Sequence, residues 1–213
     1  MLKGARLVFM LALVVGGTRG AKAQELEQLC RSAAQVSVGQ WASYTRGGGQ
    51  DDGAKVRFAI LGTERRADST LYWFEIRHWD APNPAHNGVV QVLVPGFGAE
   101  IVGIHAMVLQ QGNQPAMRLP DQMVSMLGQQ VGQNNPTLGI VLHCASARVI
   151  GWEMVTLPSG PVRALHVADA DGMEAWRVHD VPFGFVKVLL KDGTTMTLSD
   201  RGTGATSSLA AVR

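Results

Sequence analysis

The stretch RVIGWEMVTLPSGPVRALHVADADGMEAWRVHDVPFGFVKVLLKDGTTMTL, residues 148–198, decides the fold class. Its apolar runs are short, and every connection between them carries Gly, Pro or Asp, as tight antiparallel turns require. We predict strands over 148–156, 162–167, 173–178, 185–190 and 194–198. Because short loops cannot jump over a strand, these five segments should form a meander whose sheet order follows chain order.

The same strand and turn signals recur upstream of this stretch. They predict strands over 38–45, 55–61, 71–79, 89–94, 101–110, 115–119 and 138–144. Two segments favour helix instead: Glu25 to Ala34, with apolar residues spaced by three and four, and Gln122 to Val131, after a candidate N-cap at Asp121.

Several of these strands are apolar on both faces, whereas a sheet solvated on one face should alternate. Val149, Gly151, Glu153, Val155 and Leu157 would form one face of their strand, and Phe185 would face away from Val188. A helix, or the sheet curling over itself, must cover the second face. We therefore predict a mainly β protein: one antiparallel, incomplete β-barrel of about ten or eleven strands, with an N-terminal helix and a short helical lid.

The first 23 residues have the three parts of a secretory signal peptide. Lys3 and Arg6 precede the apolar run Leu7 to Val15, and Ala21-Lys22-Ala23 gives an A-x-A cleavage site. The apolar run is far below the ~20 residues that a membrane-spanning helix needs. We expect cleavage before Gln24, a periplasmic or secreted location in a bacterial envelope, and no integral membrane span.

Cleavage would leave 213 − 23 = 190 residues, which suits a single β-rich domain over 24–213. Four of the 19 basic residues would leave with the signal, so 15 basic residues would remain against 17 acidic ones. No basic stripe with interleaved aromatics is visible, and nucleic-acid binding is disfavoured.

Cys30 and Cys144 are the only cysteines. In an oxidising compartment two cysteines usually pair. The bond would close a loop of roughly 115 residues. In the chain-entropy model such a loop stabilises the folded state by about 4–5 kcal/mol. Two separately buried thiols are the alternative.

Three stretches carry a resemblance to a known group of proteins. They are GWEMVTLPSGPVRALHV (151–167), EAWRVHDVPFGFVKV (174–188) and LSDRGTGATSSL (198–209), while GQWASYTR, RFAILG and LYWFEIR fit the opening strands. Their order of strands and turns resembles the periplasmic lipoprotein-carrier (Lol-type) superfamily. The resemblance implies an incomplete antiparallel barrel with a helical lid over its mouth, and it transfers no individual site residue.

Catalytic signals are sparse. None of the six histidines forms a zinc-binding spacing, and neither a nucleophile motif nor a dinucleotide fingerprint is complete. Glu153 and Glu174 could face each other across strands like a glycosidase pair, although carboxylates on a β-surface are usually solvated. We predict a non-catalytic protein without a cofactor, a metal or catalytic residues.

The most suggestive set of side chains is apolar, because methionine adapts to ligands of varied shape. The candidates for lining a ligand cavity are Trp73, Phe74, Met107, Met117, Met123, Met126, Trp152, Met154 and Trp176. They predict binding of a hydrophobic small molecule, a lipid or an acylated protein in a curved sheet. The alternatives are an envelope interaction or sensor module that uses a sheet edge and exposed aromatics such as Trp79, and a secreted hydrolase.

Overall fold

The fold is described from a computed structural model, which defines residues 24–31, 35–97, 103–126, 147–170 and 172–209. Eleven strands lie in these ranges. They are β1 (Trp41–Gly47), β2 (Lys55–Arg66), β3 (Ser69–Trp79), β4 (Gly88–Val94), β5 (Ala106–Gln111), β6 (Met117–Arg118), β7 (Arg148–Leu157), β8 (Gly160–Ala168), β9 (Glu174–Arg177), β10 (Phe185–Leu189) and β11 (Thr195–Gly202). The mainly β prediction is confirmed.

All eleven strands belong to one antiparallel sheet in the order β6-β5-β4-β3-β2-β1-β11-β10-β9-β8-β7. The predicted C-terminal meander is present, and the N-terminal strands form a second one. The two meanders join where β1 pairs with β11. In this pair Trp41 lies directly opposite Gly202. The described strands do not close into a barrel, because β6 and β7 form the two ends of the sheet.

The sheet is strongly curved at its β7 end. Three strand spacings of ~4.8 Å would hold β7 about 14 Å from β10 in a flat sheet. Cα atoms of β7 nevertheless come within 8 Å of Cα atoms in β10 and in β11. The curvature gives the sheet a concave face and a convex outer face.

Cross-strand partners assign side chains to these two faces, since directly opposed residues point the same way. The concave face carries the row Ala42, Phe58, Ile76, Val90, Leu109 and Met117. The outer face carries the row Trp41, Ala59, Glu75, Gln91 and Val108. Most residues of the main hydrophobic core lie on the concave face.

Two helical segments add apolar side chains to this core. Residues 24–31 form α1, which overlaps the predicted helix 25–34 and begins one residue earlier, and they bury Leu26 and Leu29. Residues 121–126 form α2, which overlaps the predicted lid helix 122–131 and begins at Asp121, the predicted N-cap; it buries Val124. Residues 32–34 and 127–131 of the two predicted helices, and the predicted strand 138–144, lie outside the described residues.

Two β-bulges correct the alternation expected from the sequence. In β7, Val149 is opposite Val167 and Gly151 is opposite His166, so Val149 and Gly151 point to different faces. In β10 a register shift lies between Phe185 and Lys187, which brings Phe185 onto the same face as Val188. An extra residue in one strand reverses the alternation beyond it, and period-two reasoning cannot foresee where that happens.

The outer face of the N-terminal strands is covered by the chain's own C-terminal segment. After β11, residues 203–209 run back over the sheet, where Ala205 donates a hydrogen bond to the carbonyl of Gly39. At its end Leu209 packs between Val89 and Val108. Val89 and Val108 on the outer face are therefore buried beneath this segment, while the core buries the apolar residues of the concave face.

Candidate functional site

The centre of the concave face is filled by aromatic rings. Neighbouring rings have centroids 4.7 to 6.2 Å apart, which is contact distance for stacked and edge-to-face pairs. The six rings belong to Tyr44, Phe58, Phe74, Phe97, Phe183 and Phe185. The centre of the concave face is therefore a packed core.

Phe183 reaches these rings from a turn rather than from a strand. It lies in the 3-10 turn Pro182–Gly184, with φ of 67°, and is 1% exposed. A left-handed backbone at a bulky residue costs about 1–3 kcal/mol and persists only when its surroundings impose it. Contacts of its ring with Phe58, Phe74 and Phe97 offset that cost.

The concave face also holds several of the predicted ligand-lining residues, at different depths. Phe74 and Met107 are buried in the core. Met117, on the short edge strand β6, is 54% exposed. In α2, Met123 and Met126 are 48% and 67% exposed, because Val124 is the residue that faces the core. These three exposed methionines lie within ten residues of chain, and we name them the methionine rim.

At the other end of the sheet, Trp152 and Met154 lie on β7. The indole nitrogen of Trp152 donates to Glu25 of α1 at 3.2 Å, and the Arg163 guanidinium lies 4.7 Å from the centre of its ring. Met154 is 65% exposed. Both residues share the concave register, opposite Leu165 and Arg163.

Trp73 and Trp176 lie on the outer face. The nine predicted ligand-lining residues therefore do not all lie on the concave face. Trp73 packs with Leu71, Leu93 and Ala106, away from its neighbour Phe74. Trp176 stands opposite His166 and Lys187 in the sheet. The side-chain alternation of a strand puts Trp73 and Phe74 on opposite faces, although they are adjacent in sequence.

A polar cluster surrounds Trp176 on the outer face. His166 bonds Glu153 through Nδ1 and Glu174 through Nε2, both at 2.8 Å, and its ring stacks on Trp176 at 4.2 Å between centroids. Trp176 Nε1 donates to the second oxygen of Glu153 at 2.8 Å. Lys187 Nζ lies 4.5 Å from the Trp176 ring centre. The structure thus joins Glu153 and Glu174 through a histidine that sequence reasoning did not single out.

Hydrogen bonds in this cluster favour the ionised form of Glu153. The hydrogen bond from Trp176, and then the one from His166, lower the pKa of Glu153 below its usual value. A carboxylate only accepts hydrogen bonds, so both bonds of His166 form together when both ring nitrogens carry a hydrogen. In that arrangement the imidazole bridges the two carboxyl groups, beside the ammonium group of Lys187.

This geometry ties the paired carboxylates to one imidazole. A glycosidase pair needs two carboxyl groups directed at a substrate, one of them poised as an acid, whereas here both carboxyl groups are hydrogen-bonded to His166. Within the described ranges, no group of three or more His, Cys, Asp or Glu side chains is arranged to hold a metal ion. The signal that could have revealed the cluster is register: His166 and Trp176 stand directly opposite each other.

Comparisons with known proteins add little to this geometry. No protein-family model matches the chain, and no curated protein is significantly similar to it. A solved structure with a similar arrangement is a "putative lipoprotein" from Parabacteroides distasonis, at 9% identity and a TM-score of 0.36, covering 80% of this chain and 98% of that one. Across the described segments, no helix combines the length and apolar character needed to cross a bilayer.

Proposed function

We propose that the chain is a non-catalytic protein of the bacterial envelope that binds an acyl chain, from a lipid or an acylated protein, at the methionine rim. The observation that carries this proposal is the exposure of Met117, Met123 and Met126 next to the apolar concave face of an open sheet. Clustered exposed apolar side chains often mark an interaction site.

The packing of the core supports the rim rather than the centre as the binding place. The six aromatic rings fill the middle of the concave face. The rim lies beyond them, where Leu119 and Val124 bury their side chains while the methionines between and after them stay exposed. An acyl chain laid along the rim would gain about 0.8 kcal/mol for each buried CH₂.

The chemistry of the rim suits ligands of varied shape. Methionine is unbranched and polarisable, and it adjusts its rotamers to the surface it meets. The mechanism would be sequestration, with α2 moving as a lid and no covalent step. The Lol-type resemblance points to the same kind of ligand, and the signal-like residues 1–23 point to the periplasm or the exterior.

A binding experiment tests this function. The full chain, purified from an envelope fraction, is analysed by native mass spectrometry and lipid extraction, and then titrated with an apolar fluorescent probe and a competing fatty acid. We expect a co-purifying lipid and displaceable probe. A ligand-free spectrum together with no probe binding would contradict the proposal.

A matched pair of variants locates the site. Met126→Glu places a charge in the methionine rim. It should weaken probe binding by about tenfold or more, since a bound apolar ligand would bury this carboxylate without a partner. Val38→Glu changes a residue that is likewise exposed and apolar, at 54%, but precedes β1. It should leave the affinity unchanged, and an equal loss in both variants would argue against a rim site.

The edge strand β7 favours a second candidate function, the recruitment of an envelope protein. Among the described strands it is the outermost at its end of the sheet, and Ile150 and Met154 are exposed on it. Unpaired strand edges recruit strands from partners. Trp79 suits this role less well, because Arg77 already lies 5.2 Å from its ring centre. A stoichiometric protein partner without lipid in a pull-down from envelope extract, lost in Met154→Pro, would favour this function.

A further inference from the structure

Glu75 is a carboxylate buried in the middle of the sheet's outer face. It is 0% exposed, although the outer side of a curved sheet ordinarily faces water. The segment that buries it is residues 203–209, which we name the tail. Glu75 on β3, Gln91 on β4, and Val89 and Val108 on β4 and β5 form the surface beneath the tail, which we name the tail seat.

Glu75 accepts hydrogen bonds from Ser208 and from Gln91. Ser208 donates twice to this carboxylate, from its backbone nitrogen at 2.8 Å and from its hydroxyl at 2.7 Å. Gln91 donates a third hydrogen bond to Glu75 at 2.8 Å and also reaches the hydroxyl of Ser207 at 2.7 Å. An alanine at the position of Ser208 would lose a charge-assisted hydrogen bond, and an acidic residue there would be repelled.

The next residue of the tail is held by apolar contact. Leu209 is 8% exposed and packs against Val89, Val108 and Trp73. Arg57 adds a longer hydrogen bond to the carbonyl of Thr206, at 3.4 Å. The tail seat therefore binds a residue with a hydroxyl group through its carboxylate and the apolar side chain of the next residue in a pocket.

The tail is held by individual hydrogen bonds and one buried side chain; one of these bonds runs from Trp41 Nε1 to the carbonyl of Thr203 at 3.3 Å. The tail follows Gly202 and contains Gly204, whose φ of +78° is a conformation that glycine adopts at no steric cost. Residues 203–207 belong to no strand, and of the described tail residues only Leu209 is buried. The groups of the tail seat, in contrast, stand on three consecutive paired strands, β3, β4 and β5.

We propose that the tail seat is a peptide-recognition site, which the chain's own tail occupies in cis. Its partner is an extended peptide segment of another protein with the same chemistry, a serine followed by an apolar residue, and binding of the partner displaces the tail. Such recognition uses one buried carboxylate for specificity and one apolar pocket for affinity, on a rigid scaffold.

A released-tail variant of the full chain tests the site. Leu209→Asp puts a charge into the apolar pocket and next to Glu75, so the tail should detach while the sheet remains folded. The probe is a labelled peptide of the tail sequence, ATSSLAAVR (205–213), followed by fluorescence anisotropy. We expect the variant to bind one peptide per chain. The unmodified chain should bind the peptide at least about tenfold more weakly, since its own tail occupies the tail seat.

Two controls keep the test decisive. A peptide with Ser208→Ala should bind the variant about tenfold more weakly than the native peptide. Val38→Asp in the full chain, an equally drastic change at an exposed apolar position, should leave the tail bound and the peptide excluded. If Leu209→Asp fails to fold, the amide signals of Ser208 and Leu209 in the unmodified chain report displacement directly when excess peptide is added.

Three results would overturn the proposal. The folded variant does not bind the peptide, or the Ser208→Ala peptide binds as well as the native one, or the unmodified chain forms a dimer that Leu209→Asp abolishes. The last result would assign the seat to tail exchange between copies of the chain rather than to a different partner.

Discussion

The hydroxyl of Tyr44 donates a hydrogen bond of 3.2 Å to the carbonyl oxygen of Phe185, and their rings stack with centroids 4.7 Å apart. Tyr44 lies on β1 and Phe185 on β10, so the contact spans the intervening strand β11. It joins the two meanders across the middle of the sheet. Burial raises the pKa of Tyr44 well above its usual value, so the neutral hydroxyl persists as a donor.

Tyr44→Phe should therefore destabilise the protein. The ring stays, but the buried carbonyl of Phe185 loses a donor, which costs about 1–3 kcal/mol in the free energy of unfolding. Urea unfolding followed by fluorescence measures the change. Tyr72→Phe, at the half-buried second tyrosine, should change the free energy by less than about 0.5 kcal/mol. Equal effects of the two substitutions would contradict the role of the hydroxyl.

Glu153 should contribute a pH-dependent part of the stability. Its folded-state pKa is depressed by the hydrogen bonds from Trp176 and His166. A depressed pKa stabilises the fold above the unfolded-state value, about 4.3 for glutamate, and the stabilisation is lost as the pH falls through the folded value. Glu153→Gln should therefore lower the free energy of unfolding near neutral pH and match the unmodified chain in strong acid.

Denaturant unfolding of both chains at several pH values measures this difference. Glu27→Gln is the control, because Glu27 is exposed on α1 and its ion pair with Arg31 is long, at 3.8 Å. A difference between Glu153→Gln and the unmodified chain that stays constant with pH would show that the carboxylate acts through its shape and not its charge.

His78 should also lower the stability as the pH falls, but within the neutral range. Burial, and then the nearby charge of Arg46, lower its pKa, while the charge of Asp51 raises it. Because the unfolded chain binds the proton first, stability should fall as the pH drops below about 6.5. His78→Gln removes the titration and should flatten the curve between about pH 7 and pH 5. Thermal unfolding over that range measures it, and unchanged curvature would exclude His78 as the cause.

The pairing of Cys30 with Cys144 remains a prediction, because Cys144 lies outside the described residues. The mass of the chain cleaved at Gln24 should rise by two hydrogens on reduction. Reductant should also lower the free energy of unfolding by about 2–5 kcal/mol. Two thiols that react with an alkylating agent without reductant would refute the bond. N-terminal sequencing of the same sample tests cleavage before Gln24.

Local sequence patterns predicted the strands well, and their errors have a common cause. The turns at Pro158-Ser159-Gly160 and Lys191-Asp192-Gly193 follow from residue types whose preferences act within a few positions. Strand β5 begins at Ala106 rather than at the predicted Ile101, since short apolar runs do not define their own ends. The bulges in β7 and β10 could not be predicted from the sequence pattern either, because the position of a bulge depends on the partner strand.

The amino-acid sequence by itself determined the β-class, the C-terminal meander and the two helical segments, since alternation, turn residues and helical spacing are properties of neighbouring positions. The tertiary structure alone decided which face each side chain occupies and which distant residues meet. It put Trp73 and Phe74 on opposite faces, joined Glu153 to Glu174 through His166, and placed Ser208 on Glu75. Those contacts depend on strand register and on chain segments up to 133 residues apart, where no local preference acts.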